Sequence, residues 1–301
     1  MKPAVLKAWY TKLQQYETWL ARQPLSPHTR RAYICRIQHF LGFLGESPGD
    51  DYKNALQDPR ERDFALRDYK IYMKRHLKAL PSSVNATITA IENFTKYVGL
   101  GRVKVKREQL PQQAPRALDR AEQQRLVRAA ERTRRPKDTA IALLLLYTGM
   151  RIGECVALDL DDIYTGKRKR RVIIRDGKGN QYREVPLHQE AAQAVDEWLQ
   201  IRAGKYAGKK TSPALFLNPQ GQRLSTQSVD LIIRKIGRDC GLELSAHILR
   251  HSCLTNLVRA GNDLVLVAEI GGHKRLETTK RYTLPTEKDR ERAIDGLSLS
   301  D

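Results

Sequence analysis

Toward its carboxy-terminal end the chain carries His247-Ile248-Leu249-Arg250, then His273, then Tyr282, and upstream of these Thr148-Gly149-Met150-Arg151-Ile152-Gly153-Glu154. Two arginines, two histidines and a tyrosine are the groups a protein needs to cut a phosphodiester without a metal ion. The tyrosine attacks phosphorus, the guanidiniums hold the charge on the non-bridging oxygens, and the imidazoles move protons or fix an oxygen. The combination points to DNA strand transfer.

Elements must hold these groups. His247 and Arg250 stand three apart in a segment, 246–260, that reads as a helix, so they project from one face. Asp119 is placed to cap a helix whose Leu126 and Val127 face inward, and Asp138 to cap another over 139–147. Gly149 is suited to end that helix in a left-handed residue, which delivers Arg151 at a helix-to-helix turn. Residues 171–175 and 181–187 read as two strands joined by Asp176-Gly177-Lys178-Gly179-Asn180, a hairpin with Lys178 at its tip. Helices are expected again over 191–201 and 225–238, and a short charged one over 286–295.

Residues 1–105 show helical spacing of apolar groups in Val5-Trp9-Leu13-Tyr16-Leu20, Tyr33-Ile37-Phe40-Leu41-Leu44 and Val84-Ile88-Ile91-Phe94-Val98. Ser26-Pro27 reads as a helix start, with the serine as N-cap and the proline at the first helical position. Residues 106–116 lose the apolar period and contain two prolines, which reads as an extended linker. The expected organisation is therefore an all-α domain (1–105), a linker (106–116) and a second domain (117–301). The fold class is mainly α with a small antiparallel β-sheet (α+β).

Composition fits a nucleic-acid partner. Lys plus Arg number 54 against 34 Asp plus Glu, a formal charge of +20, and the pI is near 9.9. Such a chain meets duplex DNA as a dense line of negative charge and gains from counterion release. The longest apolar run, around 141–146, is far short of the roughly 20 residues that cross a bilayer, and the first residues lack a signal-peptide pattern. A cytoplasmic, nucleoid-associated protein of a prokaryote is the expectation. Cys35, Cys155, Cys240 and Cys253 have neither C-x-x-C pairing nor zinc-ligand spacing, so they read as free thiols, with no metal and no cofactor expected.

The order and spacing of the reactive residues closely resemble the tyrosine recombinases, or phage integrase family, with Xer-type and transposon or integrative-element recombinases the nearest in length. The resemblance rests on T-G-x-R-x-x-E at 148–154, on H-x-x-R at 247–250, on Gly272-His273 and on a tyrosine nine residues further. It implies an all-α core-binding domain and a catalytic domain closing around the duplex. Within the core-binding domain Arg30, Arg31, Arg36, Lys96, Arg102, Lys104 and Lys106 are the candidates for phosphate contact. It further implies that Tyr282 forms a 3′-phosphotyrosyl bond, that Arg151 and Arg250 clamp the scissile phosphate, and that His247 exchanges a proton with Tyr282. His273 is then a hydrogen-bond donor to the phosphate or the tyrosine, Glu154 an orienting group, and Lys178 the group that protonates the leaving 5′ oxygen.

By the same resemblance the partners are double-stranded DNA with inverted-repeat core sites and three further copies of the chain. The assembly is a homotetramer on two DNA sites that works through a Holliday junction to resolve, integrate or excise a mobile or replicon element. Accessory proteins are not legible. Ala246, Gly271 and Cys253 depart from the family's usual residues without removing a reacting group. A relaxing topoisomerase, a telomere-resolving enzyme and a noncatalytic DNA-binding protein are the alternatives, each differing in what it does with Tyr282.

Overall fold

The computed structural model describes residues 3–46, 52–110, 116–166, 169–177, 181–208, 210–285 and 287–295. The chain divides into two compact units, Met1–Pro111 and Gln112–Asp301.

The first unit is built from α1 (Pro3–Ala21), α2 (Pro27–Glu46), α3 (Pro59–Arg75) and α4 (Pro81–Tyr97). Ser26 caps α2, its Oγ accepting from the Thr29 amide at 3.1 Å. The apolar stripes read from the sequence converge: Trp9, Leu13, Tyr16 and Leu20 meet Ile37, Phe40, Leu41 and Leu44 from α2 and Val84, Ile88, Ile91 and Phe94 from α4. Tyr16 sits edge-on to Phe94 at 5.2 Å and satisfies its buried hydroxyl on Asn93, 2.7 Å away. The periodicity did not announce α3, because its inner face carries the charged pair Arg62 and Asp63 among Ala65, Leu66, Tyr69 and Met73.

Past α4 the chain is extended rather than helical. Val103 and Val105 pack on the core while Lys104 and Lys106 point to solvent, the period of two that an extended segment imposes. Residues 106–108, expected in the linker, are fastened to the first unit. Lys70 donates to the Lys106 carbonyl at 2.6 Å, and Asn85 exchanges hydrogen bonds with the Glu108 backbone at 2.8 Å each way. Charges on α3, invisible to an apolar pattern, account for the later departure: Glu108 also pairs with Lys70 and Lys74.

The second unit runs α5 (Arg120–Arg132), α6 (Pro136–Thr148), α7 (Ile152–Ala157), β1 (Ile163–Tyr164), β2 (Arg171–Gly177), β3 (Gln181–Pro186), α8 (Gln189–Lys205), α9 (Thr226–Asp239), α10 (Ala246–Arg259), α11 (Leu264–Gly271), α12 (Leu276–Lys280), a 3₁₀ turn (Arg281–Thr283) and α13 (Glu287–Asp295). Asp119 caps α5 in a reciprocal box with Glu122. Asp138 does not cap α6. The helix begins two residues earlier at Pro136, whose fixed φ suits the first turn, and Asp138 is carried inside that turn, where burial raises its carboxyl pKa.

Helix α6 is apolar on every side from Ala140 to Leu146 and is correspondingly buried all round. α5, α7, α8, α9 and α10 pack around it. The sheet is antiparallel in the order β1-β2-β3, with Val172 opposite Val185 and Ile174 opposite Arg183. Its hairpin tip, Lys178 to Asn180, lies outside the described residues.

Candidate active site

Arg151 owes its place to Gly149. At φ 61° the glycine ends α6 in the left-handed region, and the chain re-enters a helix with Arg151 as the residue preceding α7. Glu154, in the first turn of α7, reaches back to accept the Arg151 amide at 2.8 Å and its guanidinium at 2.7 Å. The other carboxylate face takes Arg183 from β3, whose Nη2 lies 2.7 Å away, and Arg183 also donates to the Ile270 carbonyl at 3.0 Å. Burial works against ionising Glu154, but the hydrogen bonds and charges of Arg183 and Arg151 prevail and hold its carboxyl below the usual range.

Arg250 comes from the buried face of α10. It donates to the Gly149 carbonyl at 2.6 Å, the Gly271 carbonyl at 2.5 Å and, at 2.8 Å, hydrogen-bonds His273 Nε2. Arg151 donates to the next carbonyl, Gly272, at 2.9 Å. The two arginines are therefore fixed on consecutive peptides of one turn, the turn that also carries His273. Gly272 makes that turn with φ 60°, and a Cβ there would stand 2.7 Å from Arg183 Nη1. Gly271 has a local reason as well: a Cβ would sit 3.2 Å from the His273 ring and 3.3 Å from Leu254.

The pocket is strongly cationic. Arg151 and Arg183 share the carboxylate of Glu154, and among the described residues no carboxylate lies within ion-pair distance of Arg250, which is only 4% exposed. Burial first, and then the charge of Arg151, push the Arg250 guanidinium down to about 10.

Tyr282 lies in the 3₁₀ turn and is inward, 5% exposed, its ring seated among Leu254, Val267 and Ile270. The His273 ring lies parallel to it at 5.9 Å, and His273 Nδ1 is held by Thr279 Oγ1 at 2.8 Å. Burial raises the Tyr282 pKa, while Arg250 and Arg281 draw it the other way. The imidazole that meets the hydroxyl is His251, with Nδ1 3.0 Å from it. His247, one turn earlier on α10, is exposed and packs its ring edge against His251 at 4.0 Å. Burial followed by neighbouring positive charge lowers all three histidines, His251 to about 3 and His273 to about 4, so each is neutral at pH 7.

Of the residues singled out from sequence, the fold thus joins Arg151, Glu154, Arg250 and His273 in one network with Tyr282 beside it, and sets His247 at its rim. Lys178 lies outside the described residues. Arg183, His251 and Thr279 were not foreseen. An arginine in an alternating strand and a threonine before a 3₁₀ turn carry no signal of their own; His251 had one, since it stands one helical turn from His247.

In the first unit the seven basic candidates do not form one cluster of contacts. Arg31, Arg102, Lys104 and Lys106 are exposed, Lys96 pairs with Glu92 at 3.4 Å, Arg36 reaches back to the Ala32 carbonyl, and Arg30 turns partly inward onto the Gln23 carbonyl at 2.9 Å.

Among the described residues no group of histidine, cysteine or carboxylate side chains is arranged to hold a metal ion, and no helix is long and apolar enough to cross a membrane.

Tyrosine recombinase XerA of Pyrococcus horikoshii is 29% identical over 293 residues, covering 95% of this chain and 93% of its own. Tyrosine recombinase XerC of Mycobacterium sp. is 32% identical over 289 residues, covering 90% of this chain and 93% of its own. Among solved structures, the XerH site-specific recombinase bound to difH substrate superposes with a TM-score of 0.70 at 21% identity, over 89% of this chain and 79% of that one. The phage integrase family pattern matches residues 116–289, the stretch that contains every group of the arginine-histidine-tyrosine network, and the chain belongs to that family as a tyrosine site-specific recombinase.

Proposed function

We propose that this chain cuts and rejoins duplex DNA through a 3′-phosphotyrosyl intermediate on Tyr282. One observation carries the reading: three guanidiniums set against one carboxylate, beside a buried tyrosine hydroxyl. A buried positive charge without a carboxylate partner is costly unless an anion completes it, and a phosphodiester is an anion of the right shape for planar guanidiniums.

Arg151 and Arg250 hold the non-bridging oxygens and stabilise the charge of the pentacoordinate transition state. His273, held by Thr279 and accepting from Arg250, keeps that guanidinium in place for the phosphate, and Glu154 keeps Arg151 aimed. His247, at the rim, is free to reach a phosphate oxygen or pass a proton. Lys178, on the hairpin, protonates the leaving 5′ oxygen. The phosphotyrosyl bond keeps the energy of the phosphodiester, so a 5′-hydroxyl from another strand rejoins it without ATP, and no metal is required.

The first unit, residues 1–105 with residues 106–108 fastened to it, serves as the core-binding domain, the remaining residues to 116 as the linker, and 117–301 as the catalytic domain. XerH was solved on its DNA substrate and lambda integrase as a dimer on a core site. By extension four copies here assemble on two inverted-repeat sites, exchange strands through a Holliday junction, and resolve or move a replicon or mobile element.

The test is a duplex nicked beside the scissile phosphate, incubated in EDTA with the wild-type protein and with Tyr282→Phe. The duplex sequence is recovered first by selecting a randomised pool on the Tyr282→Phe protein. A covalent adduct with wild type and none with Tyr282→Phe is expected; absence of adduct on a tightly bound duplex would refute the reading.

A further inference from the structure

The hydroxyl of Tyr282 and Nδ1 of His251 lie 3.0 Å apart, a hydrogen bond between the proposed nucleophile and a residue outside the H-x-x-R, G-H and tyrosine pattern. We propose that His251 is a catalytic residue, the acceptor of the Tyr282 proton as the tyrosine oxygen attacks phosphorus.

Three features of the geometry support it. His251 is buried, and its ring is held in place by its own helix, by His247 packed edge-on at 4.0 Å, and by the Tyr282 ring at 5.4 Å. The tyrosine is fixed independently, by Leu254 and Val267 around it and by the parallel His273 ring. Neither partner has to search for the other, which is what proton transfer over one hydrogen bond requires. The competing histidines are occupied or remote. His273 spends Nδ1 on Thr279 and Nε2 on Arg250, and His247 is exposed one turn away.

The direction of the bond follows from charge. A phenol at pH 7 carries its proton, and the His251 ring is neutral, because burial and then His247, Arg281, Arg250 and His273 disfavour its cation. The hydroxyl therefore donates and Nδ1 accepts, leaving the proton of the ring on Nε2. Burial and the cationic Arg281 and Arg250 would make His251 a feeble base on its own. A phosphodiester entering beside Arg250 brings a negative charge that offsets them, so the proton affinity of the ring rises when DNA is bound.

The step balances. The bond from Tyr282 oxygen to phosphorus forms, the bond from phosphorus to the 5′ oxygen breaks, the phenolic proton passes to His251 Nδ1, and the 5′ oxygen takes its proton from the cationic amine assigned above to Lys178. In rejoining, His251 returns the proton to the departing tyrosine.

The proposal rests on the phosphotyrosyl reading, and the experiment separates their failures. Two substitutions are compared on the selected nicked duplex: His251→Ala removes the acceptor, and His251→Asn keeps an acceptor near the Nδ1 position that cannot take a proton. Binding of the same duplex, measured alongside, shows that each variant is folded. Adduct formation is expected to fall about 100-fold or more in both variants with binding intact, the range that general base catalysis spans.

A second substrate carries a 5′-bridging sulfur, whose departure needs no proton. It should restore Lys178→Ala but leave His251→Asn slow. An Asn variant within a few-fold of wild type would reduce His251 to an acceptor that merely orients the tyrosine. Rescue of His251→Asn by the sulfur substrate would place it on the leaving-group side, and either result overturns the proposal. Absence of adduct with wild type would instead sink the phosphotyrosyl reading.

Discussion

Both units of the molecule bury arginines, and two of these, Arg62 and Arg250, are used in opposite ways. Arg62, 1% exposed on α3, lies against Asp63, with Nε and Nη2 at 3.0 and 2.8 Å from one carboxylate oxygen. Its remaining donors go to the carbonyls of Leu100, Gly101 and Arg102, and Asp63 also accepts the Lys104 amide. The charge is neutralised and every bond points into the protein, so Arg62 is a fastener that ties the exit of α4 to α3. Arg250 is nearly as buried but donates to carbonyls and a neutral imidazole, with no carboxylate in ion-pair distance among the described residues, while the nearby Glu154 is engaged by Arg151 and Arg183. With its carboxylate Arg62 closes a structure; Arg250, without one and beside Tyr282, is placed to take an anion.

This contrast can be tested by mutation. The largest effect on stability is expected from Arg62→Ala, which leaves the buried Asp63 carboxylate without a counterion and frees three carbonyls. A loss of about 3–5 kcal/mol is expected, read by denaturant unfolding, and a loss below 1 kcal/mol would mean that the pair is no fastener. Arg250→Lys should do the reverse. It keeps a cation but not the planar fork, so adduct formation is expected to fall by about 2.7–4 kcal/mol of transition-state stabilisation. Its melting temperature should stay close to that of wild type, and a melting loss as large as that of Arg62→Ala would erase the distinction.

A smaller effect follows from the histidines gathered in the second unit alone. In the unfolded chain His251 and His273 titrate near 6.5, whereas in the fold they are pushed to about 3 and about 4. Below pH 6.5 the unfolded chain binds more protons, so the stability that is complete above that value is lost as pH falls toward 4. Each unit of pH in this window costs about 1 kcal/mol per ring. Thermal melts between pH 7.5 and 4.5 should show the decline, and His251→Asn should make it shallower; equal slopes would show that the ring is not held neutral.

Most of the architecture was legible where one local rule decided it. Ser26 and Asp119 start their helices, Gly149 ends α6, and the stripes of the first unit mark its core, because caps, left-handed glycines and apolar periods act over a turn or two. The misreadings have two causes. Asp138 resembled a cap but was outcompeted by Pro136, α3 was hidden by its inward ion pair, and residues 106–108 resembled linker until Lys70, Lys74 and Asn85 were set against them. For Arg62 and for residues 106–108 the deciding partners are distant in sequence, about which a local window says nothing, whereas Asp138 lost its place to a proline only two residues away.

The candidate site divides along the same line. The residue types and their order along the chain, from Arg151 through H-x-x-R and Gly272-His273 to Tyr282, were determined by the sequence alone, since they are a covalent property of the chain. Which of two histidines meets the tyrosine was not. His247 and His251 are four residues apart on α10, so helical geometry puts both on the same side, and only the packing of the Arg281–Thr283 turn against that helix brings the Tyr282 hydroxyl to His251. The same holds for Arg183, which reaches Glu154 because β3 packs against α11, a contact between residues 29 apart that no spacing rule encodes.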